Sequence, residues 1–265
     1  MSMPATAAPA TPSSPPTSGT RASELDAALD QWLLQGCQGI GQISIRRLGA
    51  DRFQLCHQDD LARLDQEGVQ PGGLQRHQRA EDARRLALHD DDGRYRPLKT
   101  APNLRHGWLL EVDGVRELRL ALDFFYPAAV ALWLRHQQDR LQPVSLREAL
   151  QRQTGMYRFS GNISHEGAVA MVRDYCRHGS CLRKVTWAIE PDQGNPALEA
   201  EDTDPLLPPW GLESGRIPLL CIEVCSHLIG ASRKIARAEF NAAQGKPAPG
   251  DDDHHHGHGH GHSHD

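Results

Sequence analysis

The sequence predicts an α+β fold: an N-terminal antiparallel-sheet domain with helices, followed by a mainly helical domain that carries a cysteine set. Three observations predict it. Short runs of period-two alternation, bounded by Gly and Asp, recur between residues 42 and 122. Helical-period segments are mixed among them without a regular βαβ order, so the strands are expected to pair antiparallel. From residue 145 onward the apolar spacing turns helical, and four of the six cysteines fall between Cys176 and Cys225.

The elements follow in chain order. Ser23 to Gln35 places Leu25, Leu29, Trp32 and Leu33 on one helix face, closed by Gly36. Gln42 to Leu48 alternates through Ile43 and Ile45, Gly49-Ala50-Asp51 turns the chain, and Arg52 to His57 alternates again, which predicts a hairpin. Gly68 to Leu74 reads as loop, and Arg79 to His89 as a short helix with Ala83, Leu86 and Leu88 inward. Asp113-Gly114 suits a type I′ turn, so Trp108–Val112 and Val115–Leu122 are expected as a second hairpin. Pro127 can open a helix running to Arg140, with Val130, Trp133 and Leu134 facing inward. Ser145-Leu146-Arg147-Glu148 is a capping box, and a domain boundary is placed there. Ser164 caps a helix, Ala168 to Tyr175, that delivers Cys176 at its end. Residues 190–215 read as an irregular excursion, and from Pro218 to Phe240 the pattern is helical.

Of the 265 residues, the two ends are too poor in large apolar side chains to repay the entropy of ordering. The expected organisation is therefore 1–20 disordered, 21–144 an α+β domain, 145–243 the cysteine domain and 244–265 a disordered His-rich tail. The folded part is large enough for a real core, so the cysteines are not needed as staples. Net charge is −5, with 29 basic residues spread among 34 acidic ones, which argues against nucleic acid as a partner. No stretch is apolar enough for a membrane span and no secretory h-region is visible, so a cytoplasmic protein is expected. In that compartment paired cysteines read as metal ligands or redox groups before disulfides.

Cys176-x4-Cys181 and Cys221-x3-Cys225 are two close pairs separated by enough chain to loop out and return. Four thiolates suit an iron–sulfur cluster or zinc, and unligated or redox-active cysteines are the third reading. Zinc favours tighter Cys-x2-Cys knuckles, whereas these wider bites fit separate corners of a larger cluster. On a continuous helix Cys221 and Cys225, at i and i+4, would point the same way. Arg173, Arg177, His178, Arg183 and Lys184 bracket the first pair, and Arg233, Lys234 and Arg237 follow the second. They either offset the thiolates' charge or form a solvated face. Gly179-Ser180 gives a turn that lets backbone amides approach sulfur. Cys37 and Cys56 have no further ligand nearby and read as small buried hydrophobes.

Gln153-Thr154-Gly155-Met156-Tyr157-Arg158, then Cys176-Arg177-His178-Gly179-Ser180-Cys181-Leu182-Arg183-Lys184 with Trp187, then Cys221-Ile222-Glu223-Val224-Cys225, carry a resemblance. Together they resemble the [4Fe–4S] cluster-binding domain of multidomain proteins related to CbiX-type sirohydrochlorin cobaltochelatases, over about residues 145–240. Residues 21–144 resemble the accompanying α+β stabilising domain. The resemblance implies cluster ligation by Cys176, Cys181, Cys221 and Cys225. It also implies an accessory, electron-transfer or redox-sensing role in tetrapyrrole metal insertion, in sirohydrochlorin and cobalamin biosynthesis. The chelatase module with its paired histidines has no counterpart in these residues, so the implied partner is a separate CbiX-type chelatase or a redox protein. Direct catalysis is not expected. The alternatives are a structural zinc-binding interaction protein and a member of a chelatase complex.

The tail holds His254, His255, His256, His258, His260, His262 and His264, interleaved with Gly and preceded by Asp251-Asp252-Asp253. Imidazole suits Co, Ni and Zn, and a flexible tract can wrap an ion with several nitrogens. The alternative is an affinity tag or low-complexity end, although the interrupted pattern is not an unbroken run of six. The other eight histidines are scattered, with no HExxH pair, and no GxGxxG or GxxxxGK[ST] motif occurs.

Overall fold

In the computed structural model, which describes residues 18–64, 73–89, 92, 94, 104–177, 181–190 and 215–245, the chain divides into two compact units. The first comprises Met1–Leu141 with Leu182–Lys184 and Leu207–Leu220, and the second Gln142–Cys181, Val185–Leu206 and Cys221–Asp265. Residues 68–72 of the loop expected at 68–74, 191–214 of the excursion expected at 190–215, and 1–17 and 246–265 at the two chain ends lie outside the described residues.

The first unit begins with helix α1 (Ser18–Leu34), which buries Leu29 and Trp32. It closes in a Schellman arrangement: Cys37 N–H donates to Trp32 O at 2.9 Å and Gly36 N–H to Leu33 O at 3.2 Å, with Gly36 at φ 95°. Strands β1 (Gly39–Ile40), β2 (Ile43–Arg47) and β3 (Arg52–His57) then pair antiparallel, with Ile43 opposite His57 and Arg47 opposite Phe53. The expected first hairpin is thus present. A one-turn 3-10 helix (Gln58–Asp60) and α2 (Leu61–Leu64) follow.

Strand β4 (Gln75–His77) leads through α3 (Asp82–Leu88), which buries Ala83, Leu86 and Ala87, to β5 (Trp108–Asp113). Strand β5 pairs antiparallel with β3 and parallel with β4, giving the order β1-β2-β3-β5-β4. The sheet is therefore antiparallel apart from one parallel edge. At its other edge the segment after Gly215 docks on β1: Ile217 bridges Ile40 in parallel, and Ile217 N–H donates to Gly39 O at 2.9 Å.

The second hairpin is not formed. Asp113-Gly114 ends β5, and α4 (Val115–Phe125) follows at once. Gly114 takes φ 84°, ψ 149°, outside the left-handed helical values a type I′ turn needs, so it launches a helix. Leu118, Ala121, Leu122 and Phe125 sit at helical spacing and are fully buried, and Phe125 stacks on Trp108 with centroids 5.1 Å apart. Both edges of β5 are already taken by β3 and β4. The next helix, α5 (Ala129–Gln137), starts two residues after Pro127 because Ala128 takes the left-handed conformation, φ 59°. Val130 and Trp133 are buried as expected.

The β1–β2 turn shows why Gly41 is glycine. Its φ is +52°, and a Cβ there would lie 2.6 Å from the Tyr126 ring. Tyr126 OH in turn accepts from Gln42 N–H at 2.9 Å. Arg216 clamps the same turn, donating from Nη2 to Gly41 O at 2.6 Å and Ile43 O at 2.8 Å.

In the second unit, Ser145 Oγ accepts from Glu148 N–H at 3.2 Å and caps α6 (Leu146–Gln151). The reciprocal half of the box is absent, because the Glu148 carboxylate pairs with Arg152. A 3-10 helix (Gly155–Asn162) leads to α7 (His165–Val172), which continues as one π turn (Arg173–Arg177). Strands β6 (Lys184–Val185) and β7 (Leu220–Cys221) form a two-stranded ladder, of which Val185 and Cys221 belong to this unit, and α8 (Ser226–Ala243) ends the described chain. The core gathers Leu146, Leu150, Met171, Val172, Trp187, Ile189 and Leu228. Among the described residues no helix is long and apolar enough to cross a membrane.

Gly41→Ala is expected to destabilise the protein by about 1–3 kcal/mol, from the left-handed φ and the collision with Tyr126. Urea denaturation checks this, and a midpoint equal to the parent's would contradict the close approach.

Candidate metal centre

The four cysteines are presented by four different local structures: a π turn for Cys176, an irregular segment for Cys181, a strand end for Cys221 and a helix N-cap for Cys225. Helix α7 starts at Ser164, whose hydroxyl accepts from Gly167 N–H at 2.9 Å and donates to Glu239 Oε1 at 2.6 Å. Ser164 N–H also donates to Glu239 Oε2 at 2.8 Å, so one carboxylate of α8 grips the start of α7 with both oxygens. At the far end of α7 the π turn adds a residue to the helical period and carries Cys176. Tyr175 meets the His227 ring edge-on at 5.1 Å, joining that turn to the first turn of α8.

Cys221 and Cys225 do not share a helix face. Cys221 is the last residue of β7, where its carbonyl accepts from Thr186 N–H at 2.9 Å and Thr186 Oγ1 at 3.0 Å. The ladder holds it extended, so the chain reaches Cys225 before turning helical. Cys225 is the N-cap of α8, at φ −76°, ψ 160°, and makes no side-chain capping bond. Its side chain therefore sits at the start of the helix without bonding the first-turn N–H groups.

Cys176 and Cys221 are half-buried and pack on the core built around Trp187, while Cys181 and Cys225 are exposed. Burial pushes the Cys176 thiol up to about 12, and the nearby Cys181, Cys221 and Cys225 sulfurs push it the same way. The Cys181, Cys221 and Cys225 sulfurs thus all lie near enough to Cys176 to act on it, with the apolar core on one side of Cys176 and Cys221. Cys221 Sγ donates to Glu223 O at 3.1 Å.

The donor set fits an iron–sulfur cluster. Four soft sulfurs converge from separate segments, and the buried one carries an electrostatic cost that an iron-bearing group would relieve. Tetrahedral zinc would draw four sulfurs to roughly 3.8 Å of one another. Among the described residues, no three of these thiols lie within 4.8 Å of each other.

Several expected neighbours take structural roles. Arg183 Nη1 donates to Leu220 O at 2.8 Å, and the Arg233 guanidinium lies 5.5 Å from the Tyr157 ring centroid. His178, Gly179 and Ser180, the Arg177 side chain and the tail histidines His254 to His264 lie outside the described residues. Cys37 and Cys56 are buried at 5% and 2% exposure and belong to the first unit, while Cys176, Cys181, Cys221 and Cys225 belong to the second. The sequence pattern shows neither the π turn nor the N-cap role of Cys225. The only available signal for the latter is the helix-compatible run that begins at Ser226.

An α+β unit and a helical unit holding four convergent thiols define a two-domain protein of the iron–sulfur-binding class. Comparison with known families gives the particulars. Residues 25–137 match the DR2241 stabilising domain, and residues 138–234 match the 4Fe-4S iron-sulfur cluster binding domain. The chain therefore carries an iron–sulfur cluster-binding domain behind a stabilising domain. Among solved structures it is similar to DR2241 from Deinococcus radiodurans, described as a multi-domain protein with structural similarity to chelatases and two additional novel domains. The TM-score is 0.62 at 25% identity, covering 81% of this chain and 41% of that one, so the chain spans about two fifths of its relative's length. No curated protein matches.

In the cluster-free protein, iodoacetamide is expected to label exposed Cys181 and Cys225 first and Cys176 slowly, its labelling rising with pH toward about 12. Peptide mass spectrometry reads the order. Equal rates for Cys176 and Cys181 at neutral pH would contradict it.

Proposed function

We propose that the chain is an iron–sulfur protein whose [4Fe–4S] cluster is held by Cys176, Cys181, Cys221 and Cys225, serving as an accessory, electron-transfer or redox-sensing factor beside tetrapyrrole metal insertion. The observation that carries the reading is that Cys181, Cys221 and Cys225 all lie close enough to act on Cys176, within the region matched by the cluster-binding family. When bound, the cluster supplies one-electron chemistry. The chain's own part is to orient the four sulfurs, to shield one side with Trp187 and its neighbours, and to leave Cys181 and Cys225 toward solvent, where an electron partner can approach. The similarity to a chelatase-like protein supports a separate CbiX-type chelatase or a redox protein as that partner. The tail from His254 to His264 would hold Co, Ni or Zn for delivery.

Anaerobic purification is expected to yield a brown protein with about four iron and four acid-labile sulfide per chain. Serine in place of any one of Cys176, Cys181, Cys221 or Cys225 should lower that content severely, while Cys37→Ala and Cys56→Ala retain it. One zinc per chain with no iron would replace this reading with a structural zinc protein.

The cluster binds only the folded state, so loaded protein should melt at higher temperature than cluster-free protein, and Glu239→Ala should lower both melting points by loosening the grip on α7. Calorimetry checks this. An unshifted transition after loading would mean that the cluster is not held by the folded unit.

A further inference from the structure

We propose that His57, Asp59 and His106 form a binding site for one first-row transition-metal dication within the first unit, separate from the cysteine set. Each offers a ligand atom, and the three atoms lie within 4.8 Å of one another. Asp59 Oδ2 stands 3.6 Å from His57 Nδ1 and 4.0 Å from His106 Nδ1, and the two rings are 4.0 Å apart, tilted by 49°. Tetrahedral coordination with metal–nitrogen and metal–oxygen bonds of about 2.0–2.1 Å would set the ligand atoms roughly 3.3 Å apart. Asp59 Oδ2 is therefore about 0.3 Å too far from His57 Nδ1 and about 0.7 Å too far from His106 Nδ1, a gap that movement of the partly exposed Asp59 and His106 side chains would close.

The chemistry of the set selects the ion. Two nitrogens and one carboxylate suit zinc, iron, cobalt, nickel or copper, whereas calcium and magnesium require oxygen donors. His57 Nδ1 accepts from Asp59 N–H at 3.2 Å, which marks it as the lone-pair nitrogen of that ring. A metal at Nδ1 would take the place of this bond.

The site is held by buried polar groups. His57 closes β3 and is fully buried. Asp60, 1% exposed, accepts from Gly107 N–H at 2.7 Å and from Arg63 at 3.2 Å, tying the segment bearing His106 to the turn bearing His57 and Asp59. Gln42 makes a second tie across the same two segments: its carbonyl accepts from Gln58 N–H at 2.8 Å and its side-chain oxygen from Leu104 N–H at 3.3 Å. Gly107 takes φ 77°, which lets the backbone turn there. Asp59 and His106 remain 61% and 38% exposed, so an ion can enter from solvent and keep water in its remaining positions.

The test uses the full chain with the tail histidines from His254 to His264 replaced by Asn, so that the tail contributes no imidazole. Zinc chloride is titrated calorimetrically and bound zinc is counted after gel filtration, in this protein and in the same protein bearing Asp59→Asn and His106→Asn. These two positions are partly exposed, so the fold should survive, and circular dichroism verifies it. The expected result is one more zinc per chain in the parent than in the double variant, and no binding of magnesium. Copper-loaded parent should show nitrogen hyperfine coupling from two imidazoles, reduced to one by His106→Asn. Equal zinc stoichiometry in the two proteins, or a copper spectrum that ignores His106→Asn, would overturn the site.

Discussion

The grip of Glu239 on Ser164 is the contact from which the cysteine unit is organised. One carboxylate satisfies a backbone N–H and a hydroxyl at the start of α7, and the same hydroxyl caps Gly167. Charge-assisted bonds of this kind are stronger and more directional than neutral ones. The approach is so close that a Cβ on Gly167 would lie 2.3 Å from Glu239 Oε1. With α7 pinned to α8 at this end, the rest of each helix has little freedom in where it can go. Cys176 leaves one helix and Cys225 opens the other on the far side of the same packed pair.

What the cysteine unit gains in geometry it loses in electrostatics. Bringing four thiols together beside an apolar core raises the cost of ionising the buried one, and among the described residues no ion pair to Cys176 offsets it. A ligand set that is costly by itself and favourable once iron is bound couples folding to loading. The exposed pair and the half-buried pair divide the work: Cys176 and Cys221 seat the site against Trp187, and Cys181 and Cys225 face water.

The sheet unit uses buried polar groups for a similar purpose. Arg216 fastens the Gly41 turn, Asp60 fastens Gly107, and Gln42 joins Gln58 to Leu104. Each spans segments far apart in sequence, where an apolar contact would be less specific about register. Burial holds the Arg216 guanidinium below its usual range, which reflects how far that clamp reaches inside.

The sequence by itself determined the features that depend on near neighbours. The hairpin from Ile43 to His57, the α1 stop at Gly36, the caps at Ser145 and Ser164 and the buried state of Cys37 and Cys56 all follow from local chemistry. So does the presence of a four-cysteine set. The tertiary structure decided the features in which local signals competed. Asp113-Gly114 can serve a hairpin, yet Leu118, Ala121, Leu122 and Phe125 bury more apolar surface as a helix once β3 and β4 occupy both edges of β5. Cys221 and Cys225 are spaced for one helix face, yet pairing of Leu220–Cys221 with Lys184–Val185 holds the first extended and leaves the second as a cap. His57 and His106 lie far apart in sequence, and the pairing of β3 with β5, together with the Asp60 and Gln42 ties, brings their segments together. Spacing along a chain reports which side chains can share an element; long-range backbone pairing and buried hydrogen bonds decide which elements meet.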